Sequence, residues 1–451
     1  LNLELLSKEG KYDSFNGLCW DFLMIINPFI VGQPVPTEKF VGRVTQINSA
    51  FDQIHHRGNL AVWGGPGMGK TSFLEYLTQP QTWQFHGQNP DAAVTVLLNC
   101  LSIVPFNSSN FWRQVFKQIQ AKLALTSPLQ AILDTLLQRD QSSVDDLMRV
   151  LRGLGQQDQF LLLLLDDYDR VFRAEGNYTQ ESIRILLNEC RNIANIAEER
   201  QYLSMIVATS RRLNELGPAL TLDESPWFNH FLYRQLKPLT EAEADELLVE
   251  LTLTAELRDG IREIADGNPA LLQQAGFLLH EQLRVGNHPS APAFAQDFQV
   301  ATLHIFESTW LLLNDLEQSL MMLIALDCLA GRIGKKVYSI GNVEIIFSQH
   351  EPELQGLISR GIIRYTAGLE QLSYRFNSSM MERWVIQQIQ TCPDQELQAR
   401  QKMFLRLMSH QQAQQMTQAI QWVWHHRDQL PSVLEWVGQV ASALPKGMLK
   451  G

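Results

Sequence analysis

The chain has 451 residues, with 37 Lys and Arg against 48 Asp and Glu, a formal charge of −11, and 45% hydrophobic and 19% charged residues. That length exceeds one ordinary core and predicts two to four globular domains. No run approaches twenty apolar residues, so no membrane-spanning helix is expected, and the acid excess argues against a protein that coats nucleic acid.

The first elements carry little information. Residues 1–23 mix acids with Lys8 and Lys11, so no net-positive stretch precedes the apolar LCWDFLMII at 18–26, and a signal peptide fits poorly. This segment reads as a linker, or as non-native sequence ahead of a start at Met24. Strand-like runs then alternate with helical patterns. The runs are 59–63 (NLAVW), 93–98, 160–165 and 205–208, and their continuous apolarity predicts strands buried on both faces. Between them, helices are predicted from Asn110, from Leu129 and from Val144, the last capped by Ser142 or Ser143. The alternation predicts an α/β fold with a parallel sheet and right-handed crossovers.

After Pro238 the strand signal fades. Thr240 and Glu243 form a capping box ahead of a helix. In ADGNPALL, Gly267 can close one helix while Asn268 caps the next and Pro269 takes its first position. Residues 284–294 read as a linker. Residues 305–390 give helices followed by two short strands, at 361–365 and around 374–376, which predicts a winged helix. Residues 396–451 are Gln-rich and helical in pattern, with Trp422, Trp424 and Trp436 available for packing. The expected domains are thus 1–23 upstream, 24–238 for the sheet, 239–300 helical, 301–395 winged helix and 396–451 a helical tail. The five cysteines (Cys19, Cys100, Cys190, Cys328, Cys392) form no CxxC pair and read as buried small hydrophobes in a reducing compartment. No HExxH or Cys/His cage is present, so no structural zinc is expected.

Residues 64–71, GGPGMGKT, match the phosphate-loop pattern G-x-x-x-x-G-K-[ST]. Glycines let successive N–H groups turn inward and form an anion nest at a helix N-terminus. Gly65, Gly67, Met68, Gly69, Lys70, Thr71 and Ser72 are therefore candidate phosphate-binding residues, Lys70 for the β- and γ-phosphates and Thr71 for Mg²⁺. A plain Gly-rich turn is the alternative, disfavoured by the strand before it and the helix after it. Such a loop needs a carboxylate at the end of another buried strand, and FLLLLLDDYDR supplies one. Asp166 is the candidate metal ligand and Asp167 the candidate for orienting or deprotonating water. Asp169 and Arg170 carry less, since a surface salt bridge accounts for them equally well. The next strand ends IVATSRR, where Arg211, beside Thr209 and Ser210, is the candidate reader of a γ-phosphate; a solvated strand end is the plain alternative.

Taken in order, NPFIVGQPVPTEKFVGR, the phosphate loop, LLLLLDDYDR, IVATSRR, LYRQLKPLTEAEADELL and ADGNPALLQQAGFLL resemble the AAA+-like branch of the signal-transduction ATPases with numerous domains, over roughly residues 24–390. The resemblance implies a phosphate-loop NTPase sheet whose loop-bearing strand lies beside the neighbour of the Asp166 strand. It also implies a helical lid, then a winged helix and a helical tail. ATP, ADP and Mg²⁺ are the implied cofactors. Phe40, Val41 and Arg43 would line the adenine side, and Pro269, in the family's G-x-P lid motif, would pack near adenine or ribose. Position 167 is Asp where many relatives carry Glu, one methylene shorter, which implies slow hydrolysis. Arg191, Arg200 and Arg212 are the available candidates for an arginine finger.

The resemblance implies a cytoplasmic switch that changes conformation or homo-oligomeric state between ADP and ATP forms, answering an unidentified protein or ligand trigger in signalling or defence. A second reading is a DNA-remodelling ATPase of the origin-recognition type. Against it, residues 305–395 hold about seven Lys and Arg, with one basic doublet at Lys335-Lys336, against about ten Asp and Glu, where a DNA-reading wing should be basic. A third reading is a non-hydrolysing scaffold that keeps ADP.

Overall fold

A strand covered on both faces needs apolar side chains at every position, and the leucine run at Phe160–Asp166 meets that condition: all seven residues are buried. In the computed structural model, which describes residues 26–195, 197–219, 226–251, 254–284, 291–329, 340, 342–367, 372–390, 404 and 410–425, this run is the third strand of a five-stranded sheet. The strands are β1 (Asn59–Trp63), β2 (Ala93–Asn99), β3 (Phe160–Asp166), β4 (Leu203–Thr209) and β5 (Phe231–Gln235), in the spatial order β2-β3-β4-β1-β5 with every pair parallel. The sheet is the α/β fold of phosphate-loop NTPases, and β1 lies beside β4, the neighbour of β3, as the family resemblance implies. β5 was not predicted. Its Leu-Tyr-Arg-Gln positions are only half-buried at the sheet edge, so it lacks a continuous apolar run.

Contacts divide the chain into two compact units: Pro34–Pro238 with Gly356–Ile362, and residues up to Gln33 with Leu239–Gln355 and those from Ile363 on. The first unit contains α1 (Val44–His56), α2 (Lys70–Tyr76), α3 (Pro80–Phe85), α4 (Ser108–Lys122), α5 (Leu129–Leu137), α6 (Val144–Gly155), α7 (Gln180–Asn195) and α8 (Leu213–Leu216). Side chains alternate across β3. Leu161, Leu163 and Leu165 join the core under α4–α7, while Phe160, Leu162 and Leu164 join the core with Phe51, Ile54, Phe73 and Leu74. Of the two possible caps for α6, Ser143 fills the position and forms a capping box with Asp146.

The second unit is helical, with α9 (Glu241–Leu247), α10 (Ala255–Ala265), α11 (Pro269–Arg284), α12 (Ala291–Leu311), α13 (Asp315–Leu329), α14 (Val343–Gln349), α15 (Glu351–Ser359, which crosses into the first unit), α16 (Ser379–Gln390) and α17 (His410–His425). The Thr240–Glu243 capping box forms, with Thr240 N donating to Glu243 Oε2 at 2.8 Å. Gly267 has φ +71°, and a Cβ there would lie 2.3 Å from the Leu239 carbonyl oxygen, so only glycine fits this close approach. Asn268 Oδ1 then accepts from Ala270 N at 3.0 Å and caps α11. Strands β6 (Ile363–Ala367) and β7 (Leu372–Phe376) pair antiparallel with Tyr365 opposite Tyr374, giving the small hairpin of the expected winged helix. The first of them starts two residues later than predicted because Gly361, at φ +71°, belongs to the turn.

One expectation is corrected. Residues 291–294 of the supposed linker are the first turn of α12, a position where Pro292 costs nothing because its missing N–H would have no helical partner. Residues 1–25, the Lys335-Lys336 doublet, Cys19, Cys392 and Trp436 lie outside the described residues. Cys100, Cys190 and Cys328 are free and buried. Among the described residues no helix is long and apolar enough to cross a membrane.

Truncating a β3 leucine removes packing on a face with no solvent to refill it. Leu163→Ala is therefore expected to destabilise the sheet unit by about 2–5 kcal/mol, read as an earlier urea midpoint by circular dichroism. Phe85→Ala, at a ring that is 82% exposed, should leave the midpoint within about 0.5 kcal/mol. Equal shifts would contradict this placement of the core.

Candidate functional site

A parallel sheet brings the C-terminal ends of its strands to one edge, and here the phosphate loop leaves β1 at the edge where the acids end β3. The loop is tightly held. Gly64 N donates to Thr209 O on β4 at 3.1 Å, and a Cβ on Gly64 would stand 2.9 Å from the Leu236 carbonyl oxygen. Gly67 and Gly69 take φ of +78° and +80°, which turns the main chain into α2. Lys70 Nζ donates to the loop's own carbonyls, to Gly64 O at 3.0 Å and Gly65 O at 3.2 Å. Burial lowers the pKa of this ammonium, and Asp169, Asp166 and Asp167 pull it back up.

Thr71 follows on α2, and its hydroxyl donates to Asp166 Oδ2 at 2.7 Å. Asp166 is 3% exposed, and its other oxygen, Oδ1, is buried with no protein donor. Burial pushes this carboxyl up, against the opposing pull of the Thr71 hydroxyl bond. A buried, unpartnered carboxylate oxygen beside a hydroxyl is a fitting donor pair for a hard divalent cation such as Mg²⁺. Ser72 Oγ accepts from Val35 N at 3.2 Å, so its hydroxyl fastens the incoming chain to α2.

Asp167 leaves the strand in the left-handed region, φ +47°, a strained conformation for a residue with a Cβ. Its Oδ2 accepts from Asn99 Nδ2 at 2.8 Å. Asn99 ends β2 in register with Asp166. The sequence reading missed it, although an Asn closing an apolar strand that lies next to an acid-ended one is a signal that could be read. Asp169 is no surface ion pair: it accepts from Ser210 N at 2.9 Å and from the Ser210 hydroxyl. Arg170 does form an ion pair, with the exposed Glu175.

At the end of β4, Thr209 Oγ1 donates to the Arg211 carbonyl at 2.7 Å, which sets the backbone of that turn. The Arg212 guanidinium lies over the rings of Trp63 and Tyr233, at 5.8 Å and 5.9 Å. Arg200 precedes β4, at the opposite sheet edge from the phosphate loop, and donates to Asn195 O at 2.9 Å. Arg191, on α7, helps burial drive His230 down to about 4. Phe40 packs on Tyr76 with ring centroids 4.9 Å apart. Val41, half-buried, and Gly42 lead into Arg43, which is itself buried. Arg43 donates to the Lys237 carbonyl and, at 3.2 Å, to that of Met68, and so braces the phosphate loop from outside. Pro269 takes the first position of α11 in the second unit.

Residues 39–189 match the family model described as an AAA ATPase domain. Among solved structures, the chain is similar to a Walker-type ATPase of Pyrococcus abyssi, at 17% identity and a TM-score of 0.50, over 78% of this chain and 98% of that one. It is also similar to the ORC2 protein of Aeropyrum pernix in ADPNP–ADP complexes, at 12% identity and a TM-score of 0.47, over 79% and 96%. Domain III of the replication initiation protein DnaA of Thermotoga maritima matches at 16% identity and a TM-score of 0.35, over 61% and 99%. At 17% identity the likeness to the Pyrococcus abyssi protein is one of fold. No curated protein sequence gives a significant match.

Asp166 generates a pH prediction. Its raised folded pKa means the native state holds this proton more tightly than the unfolded chain does. The favourable contribution is therefore full below the unfolded value of about 3.9 and is lost as pH rises through the folded value. At neutral pH the buried anion is a net cost to the nucleotide-free protein. Asp166→Asn should then melt higher than wild type at pH 7, by about 2–4 °C per kcal/mol recovered, with the gain shrinking towards pH 4. Scanning calorimetry across that range checks it, and an unchanged or lower melting temperature at pH 7 would contradict it.

Proposed function

We propose that the chain is a slow ATPase that works as a nucleotide-controlled molecular switch. The observation that carries this reading is the Thr71–Asp166 hydrogen bond, which joins the phosphate loop to the acid-ended strand at the same sheet edge. Lys70 would exchange the Gly64 and Gly65 carbonyls for the β- and γ-phosphate oxygens, a charge-assisted contact stronger than the neutral bonds it replaces. The amides of Gly65 and of residues 67–72 would cradle the same phosphates. Thr71 and Asp166 would hold Mg²⁺, which when bound neutralises charge on the phosphate oxygens.

Asp167 is the residue for the attacking water. Its carboxylate is one methylene shorter than glutamate and is held by Asn99 at 2.8 Å, which supports slow turnover. Arg211 would read the γ-phosphate from the end of β4. Phe40, Val41 and Arg43 would meet the adenine side, and Pro269 would meet adenine or ribose from a lid formed by residues 239–300. The winged helix at 301–395 would then act within the chain or its homo-oligomer rather than on DNA, a reading supported by its acid excess. Near-complete switching from 1:99 to 99:1 needs about 5.5 kcal/mol of differential binding, within reach of one γ-phosphate gripped by two cations and a metal. An unidentified ligand or protein would trip the switch in the cytoplasm.

Calorimetric titration with ADP and ATP, with and without Mg²⁺, tests the reading. Wild type should bind both nucleotides, Lys70→Ala should lose about 100-fold or more in affinity, and Asp167→Asn should bind normally while turnover falls at least about tenfold. Mass in solution should differ between ADP and a non-hydrolysable ATP analogue. Equal binding by wild type and Lys70→Ala, or one mass in both states, would contradict the proposal.

A further inference from the structure

Asp169 has no part in the scheme above, yet its carboxylate joins the loop after β3 to the turn after β4. Both of its oxygens accept from Ser210 N, at 2.9 Å and 3.2 Å, and Oδ1 also accepts from the Ser210 hydroxyl. Ser210 is only 7% exposed, so water competes poorly for these bonds. The connection extends further. Thr209 Oγ1 holds the Arg211 carbonyl, Thr209 O accepts from Gly64 N, and Gly64 O accepts from Lys70 Nζ. One carboxylate thus reaches the phosphate loop through Ser210 and Thr209, while Asp166 and Asp167 sit three and two residues before it in the chain.

We propose that Asp169 is a positioning residue for phosphoryl transfer: by clamping Ser210 it fixes the Thr209-Ser210-Arg211 turn against the loop that carries the acidic pair. Arg211 and Asp167 are then held in one relative geometry. The clamp has a physical reason to exist, because Asp167 is strained at φ +47° and an unsupported loop would relax. The position of Asp169 also gives it a second effect, as the foremost of the three acids that favour the charged form of Lys70. This inference rests on the nucleotide reading above.

The test is steady-state ATP turnover by the full chain, together with affinity for a fluorescent ADP analogue. Asp169→Ala should lower kcat by about tenfold or more while ADP affinity stays within about threefold, the split expected when orientation rather than binding is lost. Asp169→Asn keeps one acceptor oxygen and should recover part of the loss. Ser210→Ala should lower kcat by less, since the backbone N–H remains. The double variant Asp169→Ala/Ser210→Ala should be no slower than Asp169→Ala alone, because the two groups act through one contact. If Asp169→Ala fails to fold, Ser210→Ala and Asp169→Asn carry the same comparison. An unchanged kcat, a matching loss of ADP affinity, or multiplicative effects in the double variant would overturn the clamp and leave the nucleotide reading standing. A wild type that binds ATP without turning it over would also overturn it, there being no reaction to position. A wild type that takes up no nucleotide would overturn both.

Discussion

The arrangement depends on a hydrogen bond between residues 95 positions apart, from the Thr71 hydroxyl to the Asp166 carboxylate. Neither residue can be placed by its own neighbours. Thr71 is carried by a loop whose glycines allow the main chain to reverse and enter a helix, and Asp166 by a strand so apolar that it must lie inside the sheet. Parallel pairing then brings both to the same edge, because β1 and β3 each pair with β4 and all run in one direction. What the topology supplies is a buried carboxylate with one oxygen bonded and the other without a protein donor.

That edge is built at some expense to stability. Lys70 is desolvated and pulled down in pKa, and Asp166 is desolvated and pushed up. Asp167 occupies a left-handed backbone conformation. Each would be easier to fold as a neutral or flexible residue, and of their side-chain polar atoms Asp166 Oδ1 is the one buried without a hydrogen-bond partner. The surrounding sheet tolerates it because the leucines of β3 are packed on both faces. Arg43 and Asn99 add fixed hydrogen bonds outside the immediate site, to Met68 and Asp167.

Much of this was legible in the sequence, and the rest fails for identifiable reasons. The phosphate loop, the leucine-rich strand and its terminal acids, the β4 strand and the Thr240 capping box are local patterns, and they appear where they were predicted. β5 was missed because its edge position leaves polar side chains in an otherwise regular strand. Asn99 and the Asp169–Ser210 clamp were missed or misread because their partners lie 68 and 41 residues away, and a partner at that distance has no local signature. Proline marks both a loop and a helix start, so the first turn of α12 reads as a linker in the sequence alone. A single chain's sequence therefore reads the chemistry of each strand end, and only the sheet order shows which strand ends share an edge.

The central claim is that Thr71 and Asp166 place a divalent cation against the phosphates held by the glycine loop. Manganese substituted for magnesium in the presence of ADP would report this directly through hyperfine coupling between the metal and the phosphorus nuclei. The account predicts a strong coupling to the β-phosphate in wild type and its loss when Thr71 is replaced by alanine. Manganese that binds with no phosphorus coupling, or a coupling indifferent to the Thr71 hydroxyl, would contradict it.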